Sequence, residues 1–233
     1  MTTHLITGAN RGLGWAMVQQ LAQTDGIVFA GCRSPQSSAD LQALAAKNDN
    51  IYMVQLDVAD ENSVMAAAKV IAAETEKIDV LINNAGIKLD EKDLQDITVE
   101  NVQKTMNVNV VGPLLMAKHF VGLLKRSNQA RLVNISGRLA SLLLLEHQSW
   151  GSYTYNASKA AMNVTTRMMA HELKPIGICV VAVHPGWMQT DMGGAAADLE
   201  PSVAAESVLA LTANLTLADT NKFLVYNGEE HPW

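Results

Sequence analysis

Tyr155 and Lys159 stand four residues apart in Tyr155-Asn156-Ala157-Ser158-Lys159. On a helix that spacing puts both side chains on one face, one turn apart. An ammonium so placed stabilises a phenolate and lowers a pKa that is about 10 when unperturbed. A phenol tuned toward neutrality serves as a general acid or base. The spacing alone is weak, because most such pairs are solvated helix neighbours. A second cue lies in Met106-Asn107-Val108-Asn109-Val110-Val111-Gly112-Pro113, inside a long helical pattern. Pro113 has no N–H and cannot bond the carbonyl four residues earlier, that of Asn109. The helix is expected to kink there and free that carbonyl; the other reading is a kink that serves packing only. A third cue is Thr7-Gly8-Ala9-Asn10-Arg11-Gly12-Leu13-Gly14. Gly8 permits a tight turn, Gly12 lets the backbone approach a pyrophosphate, and Gly14 allows a helix to pack closely on a strand. The helix N-terminus that follows favours phosphate charge. A glycine cluster is also found in ordinary strand–helix turns, but its place after the first apolar run favours the phosphate reading.

These residues need a scaffold, and the chain alternates strand and helix throughout. Apolar runs at Thr3–Thr7, Ile27–Cys32, Ile51–Leu56, Val80–Asn83, Arg131–Ile135, Ile178–Val183 and Phe223–Tyr226 read as buried strands. Helical stretches lie near 12–23, 38–47, 61–74, 98–126, 156–173 and 202–214. Leu13, Met17 and Leu21 form the stripe of a helix that packs on a sheet. Thr98 is placed to cap the long helix. Such alternation implies right-handed crossovers, hence an α/β protein with a Rossmann-type, doubly wound parallel sheet of about seven strands and helices on both faces. Ligands of such sheets bind at the carboxyl ends of the strands, at the switch point.

The 233 residues suit a single domain spanning 1–233, and a hydrophobic content of 48% supports a sizeable core. A net charge of −6 argues against nucleic acid or an anionic membrane surface as partner. Cys32 and Cys179 each sit in an apolar run and are expected to be buried free thiols, as in a reducing compartment. No basic leader and no run of about 18 apolar residues is evident, so neither secretion nor a membrane span is expected, and the localisation expected is cytoplasmic. The six histidines show no metal-ligand spacing, so no metal is expected.

The glycine spacing Gly-x-x-x-Gly-x-Gly, with Tyr155-x-x-x-Lys159 downstream, resembles the short-chain dehydrogenase/reductase family. Other motifs follow in the family's order along the whole chain. Asn83-Asn84-Ala85-Gly86 is similar to its Asn-Asn-Ala-Gly motif, and Pro185-Gly186 with Thr190 to the segment that holds the nicotinamide carboxamide. The ending Tyr226-Asn227-Gly228-Glu229-Glu230-His231-Pro232-Trp233 resembles the C-factor-type, carbonyl-reductase-like branch. The resemblance implies cofactor contacts from Gly8, Asn10, Arg11, Gly12, Leu13, Gly14, Asp57, Val58, Asn84, Ala85, Gly86, Tyr155, Lys159, Pro185, Gly186 and Thr190, with Asp57 on the adenine. It implies that Tyr155 gives a proton to a carbonyl oxygen as hydride arrives, and that Lys159 binds the nicotinamide ribose. It also implies that Asn109, selected over Asn107 by the Asn-x-x-Gly frame, holds a water in a proton relay.

The end of the second strand bears on the cofactor. An NAD enzyme of this fold generally has an acid there for the ribose 2′-hydroxyl. Gly31-Cys32-Arg33-Ser34 has none. Arg33 could pair with a 2′-phosphate and Arg11 could clamp its other side, which predicts NADP(H); the other reading is two solvated arginines.

One position departs from the family. Where it commonly has Asn-x-Ser-Ser, with the second Ser polarising the substrate carbonyl, this chain has Asn134-Ile135-Ser136-Gly137. Three readings stand. Ser136 is re-aimed by backbone freedom at Gly137, another donor such as Ser141 substitutes, or polarisation is impaired.

On the substrate side, Leu142-Leu143-Leu144-Leu145 precedes Glu146, His147, Gln148, Ser149 and Trp150. Four leucines in a loop must be covered by a substrate, an oligomer partner or the core. Trp187, Met192 and the Gly193-Gly194-Ala195-Ala196-Ala197 run read as a mobile flap. Leu142, Leu143, Trp150, Trp187 and Met192 are the candidate pocket. The helical face of Ala157, Ala160, Ala161, Val164 and Met168 either meets a second subunit or faces the sheet. The function expected is NADP(H)-dependent reduction of a bulky, hydrophobic ketone or aldehyde by a homodimer or homotetramer. The alternatives are a non-redox isomerase, dehydratase or cyclase, and an NADP(H)-binding signalling protein.

Overall fold

The computed structural model describes residues 1–89, 91, 93–144 and 152–233. Within them one parallel sheet holds β1 (Thr3–Thr7), β2 (Ile27–Cys32), β3 (Ile51–Gln55), β4 (Val80–Asn83), β5 (Arg131–Ile135), β6 (Cys179–His184) and β7 (Phe223–Val225). The order across the sheet is β3-β2-β1-β4-β5-β6-β7. The chain winds outward from β1 to β3 and then returns to pair β4 against β1. That reversal opens a crevice beyond the carboxyl ends of β1 and β4.

The strand pleat sorts the core. Ile6, Ile82, Val133 and Val181 point to one face, under α1 (Gly12–Leu21), α2 (Ala39–Ala45) and α7 (Pro201–Asn214). Leu5, Leu81, Leu132 and Val180, each one residue away, point to the other face. There they meet α3 (Glu61–Glu74), α5 (Gly112–Leu124) and α6 (Tyr153–Leu173). Alternation along a strand buried on both faces produces the continuous apolar runs of the sequence. Cys32 and Cys179 are buried and free.

Most element limits agree with the sequence reading to within a residue or two. The largest difference is α6, which starts at Tyr153 rather than 156, with Ser152 as its cap. The kink expected at Asn109 takes a specific form. Between α4 (Val99–Met106) and α5 lies one π-helical turn, Asn107–Val111, which re-spaces the backbone hydrogen bonds just before Pro113. Gly112 is required there, since a Cβ would lie 2.9 Å from Val58 Cγ2. The absence of a continuous apolar run did not predict that Val99–Leu124 is long and apolar enough, at a mean hydropathy of 1.2, to cross a membrane. Met116, Phe120 and Leu124 of that stretch are fully buried against the sheet.

Candidate active site

The loops after β1 and β4 interlock at the switch point. Thr7 Oγ1 accepts the amides of Asn84 (3.0 Å) and Ala85 (2.9 Å). Asn84 Nδ2 donates back to the carbonyls of Thr7 (2.8 Å) and Gly8 (3.2 Å). Asn84, implied as a cofactor residue, is thus also the clamp of the glycine loop. A Cβ at Gly14 would lie 2.3 Å from Gly8 O and 2.5 Å from Asn84 Nδ2, so the loop closes only around glycine. Gly8 and Gly12 both have positive φ, at 67° and 54°. Leu13 turns its side chain into the core, leaving only its backbone for a ligand.

These residues fit a dinucleotide. A Cβ at Gly12 would project toward Thr190, 3.5 Å from its Cγ2, into the gap between the glycine loop and the segment after β6. The N-cap of α1, Arg11, makes no side-chain hydrogen bond to the helix, whereas α3, α4 and α6 are each capped by a side chain. First-turn amides left without such a cap are donors suited to phosphate. Asn10, Arg11 and Arg33 are exposed, and β2, which ends just before Arg33, contains no acid. Arg11 Nη1 meets Asp191 Oδ2 at 3.5 Å, a pairing the sequence did not suggest. Both side chains are exposed, so the pair is worth about 1 kcal/mol at most and yields readily to a phosphate. Asp57, half-buried beyond β3, accepts the Ala59 amide (3.0 Å), while Val58 is buried against Gly112.

α6 supplies the proton-transfer pair. Lys159 is 4% exposed, and its Nζ donates to Ile135 O (2.7 Å) and lies 5.7 Å from the Tyr155 ring centroid. Burial lowers its pKa to about 8. Burial raises the Tyr155 phenol to about 12. In the protein alone burial is the cause of both shifts, and no lowering of the phenol by Lys159 accompanies it. The Asn109 side chain, fully buried, spans the gap between the β4 loop and α6. Its Oδ1 accepts Ile87 N (2.8 Å), and its Nδ2 donates to Ile87 O and Ser158 Oγ (both 2.9 Å). Gly86 lies between this clamp and Lys159, its Cβ position 3.4 Å from Asn109 Oδ1 and 3.5 Å from Lys159 Nζ.

The re-aimed Ser136 does not occur. Ser136 shares the pleat parity of Leu132 and Asn134, which face α6, and its hydroxyl donates to Asn163 Oδ1 (2.8 Å). Ser141 is also engaged elsewhere, donating to Trp233 O (3.2 Å). Position 137 faces the phenol: a Cβ there would lie 3.5 Å from Tyr155 Oη.

Leu142 and Leu143 are not covered by the chain, at 69% and 66% exposed. Trp187, Met192 and Tyr153 are exposed as well, and Tyr153, two residues before Tyr155, was not singled out from the sequence. Trp150 lies outside the described residues. The expected flap is bonded to itself: Trp187 Nε1 donates to Gly193 O (2.9 Å) and Gln189 Nε2 to Ala197 O (3.0 Å). Pro185 is buried and Gly186, at φ 91°, packs against Leu199 and Tyr226. On α6, Ala157, Val164 and Met168 are exposed, so that face does not lie on the sheet.

Comparison with known proteins agrees with this geometry. Residues 2–200 match the family model for short chain dehydrogenases. The C-signal protein of Myxococcus xanthus is 35% identical over 159 residues, covering 68% of this chain and 95% of that protein. An NADPH-bound carbonyl reductase from chicken fatty liver superposes with a TM-score of 0.94 at 33% identity, over 100% of this chain and 99% of that one. The carbonyl reductase Sniffer of D. melanogaster gives 0.95 at 29% identity, over 100% of both chains. The chain belongs to the short-chain dehydrogenase family and is an oxidoreductase of that family.

Proposed function

We propose that this protein is an NADP(H)-dependent reductase of a hydrophobic ketone or aldehyde. The observation that carries the reading is the Tyr155 phenol, held on the helix that also buries Lys159, with its hydroxyl 3.5 Å from where a Cβ at Gly137 would stand. With its pKa raised to about 12, Tyr155 is protonated at neutral pH but a weak acid, so donation depends on stabilising the phenolate. Lys159 is the cation that steadies the phenolate left behind. Gly8, Arg11, Gly12, Arg33, Asp57, Ala85, Gly86 and Thr190 would hold the cofactor, which would supply the hydride. The carbonyl-reductase likeness and the lack of an acid after β2 favour NADP(H). Leu142, Leu143, Tyr153, Trp187 and Met192, all exposed, are the apolar side chains that would meet a bulky substrate. The exposed Val164 and Met168 on α6 suit a homodimer or homotetramer. The engaged Ser136 and the bare Gly137 favour a second reading, in which the pair transfers protons without redox chemistry.

The test is NADPH consumption with a panel of hydrophobic carbonyls. Wild type should consume NADPH, prefer it over NADH, and lose about 10²–10⁴-fold in rate in Tyr155→Phe. Arg33→Ala should weaken NADPH affinity. Product without NADPH loss would support the second reading instead.

A further inference from the structure

Glu91 lies in the segment after β4, and the sequence offered no reason to single it out. It is 8% exposed, with its carboxylate turned onto the start of α6. Its Oε2 accepts from Ser152 Oγ (2.7 Å) and from the Thr154 amide (3.1 Å). Its Oε1 accepts from Thr154 Oγ1. A carboxylate only accepts, so Ser152 must donate its proton to Glu91, and its oxygen is left to accept the Tyr155 amide (3.3 Å). Glu91 and Ser152 together satisfy successive amides of the first turn, and the negative charge sits at the positive end of the helix. Burial alone would raise the Glu91 pKa, but the bonds from Thr154 and Ser152 hold it below the usual value.

A helix end does not require so much. Asp60 caps α3 and Thr98 caps α4 with one local side chain each. In α6 the local cap, Ser152, is backed by a buried carboxylate from 61 residues away. The other end of the Glu91 segment is fixed too, where Asn109 holds both backbone groups of Ile87 and reaches Ser158 of α6. The segment that follows Gly86 is thereby tied to α6 at two levels, and Tyr155 is in the turn that Glu91 holds.

We propose that Glu91 is a positioning residue for Tyr155, fixing the first turn of α6 against the β4 loop and so the place of the phenol hydroxyl. The proposal rests on Tyr155 being the proton donor. Misplacing a reacting group by about 1 Å can cost about 10²-fold in rate. Glu91→Gln keeps the shape but sets an amide against fixed N–H donors. It should lower kcat about tenfold or more while leaving the NADPH Kd, read by quenching of protein fluorescence, unchanged. In a Tyr155→Phe background the same substitution should add little, because both changes act on one proton transfer. An unchanged kcat, a loss confined to NADPH Kd, or an equal loss in both backgrounds would overturn the proposal. Should Glu91→Gln not fold, Glu91→Asp decides: a lower kcat at unchanged Kd supports the assignment and an unchanged kcat overturns it. A Tyr155→Phe protein as fast as wild type would instead overturn the reading beneath, and the proposal with it.

Discussion

Gly137 has an extended backbone, φ −163° and ψ 156°, that any residue adopts, and a Cβ there would stand 3.5 Å from the Tyr155 hydroxyl. A serine hydroxyl at this position would share the space where a carbonyl oxygen must sit to take a proton from Tyr155. Removing one such donor typically costs about 10²–10³-fold, so adding one is expected to raise kcat with a hydrophobic ketone by about tenfold or more. Steady-state kinetics of Gly137→Ser check this, and an unchanged kcat would mean that the carbonyl is already polarised by another group. The sequence pointed to position 137 as the anomaly but left the fate of Ser136 open. Strand parity decides it, because Ser136 continues the side-chain direction of Leu132 and Asn134 and finds Asn163. Side-chain burial was equally hidden in the sequence. The pattern Tyr-x-x-x-Lys does not reveal that desolvation lifts the phenol to about 12 and lowers Lys159 to about 8.

The element that most shapes the site is the π-helical turn Asn107–Val111. Pro113 removes one amide, and the turn widens so that Asn109 points at Ile87 and Ser158 while Gly112 passes close to Val58. Pro113→Ala restores the amide and lets the turn rewind to an ordinary α-helix. Rewinding rotates Asn109 away from Ile87, so kcat should fall several-fold while the far-ultraviolet circular dichroism stays helical. An unchanged kcat would count against any part for Asn109 in the reaction. The irregularity before Pro113 was legible in the chain, but the π geometry was not. It depends on the partners that Asn109 meets in other elements. Glu91 was illegible for the same reason: a lone acid in a loop gains meaning only when the start of α6 arrives beside it.

At the scale of the whole molecule the sheet was the most legible feature, because strands buried on both faces read as apolar runs and their crossovers have one hand. What composition does not reveal is which titratable groups the fold encloses. His4 on β1 and His184 at the end of β6 are both lowered to about 4, first by burial. For His4 the Asp79 carboxylate opposes that lowering and Arg131 adds less to it, while His231 and Arg138 lower His184 further. Unfolded histidine titrates near 6.5, so between about pH 6.5 and 4 the unfolded chain binds more protons. Stability should therefore be retained above about pH 6.5 and lost as the pH falls toward 4. Thermal melts should show a Tm that drops from pH 7 to pH 5, with a smaller drop in His4→Gln; a flat profile would contradict the burial of both rings as neutral groups. The central claim is that this fold carries hydride to a carbonyl with Tyr155 as the proton donor. Its most direct test is turnover of a hydrophobic ketone with NADPH deuterated at C4, with the alcohol analysed by mass spectrometry. The predicted result is one deuterium on the carbinol carbon, with formation of that product lost in Tyr155→Phe. Product formed without deuterium, or at an undiminished rate in Tyr155→Phe, would contradict it.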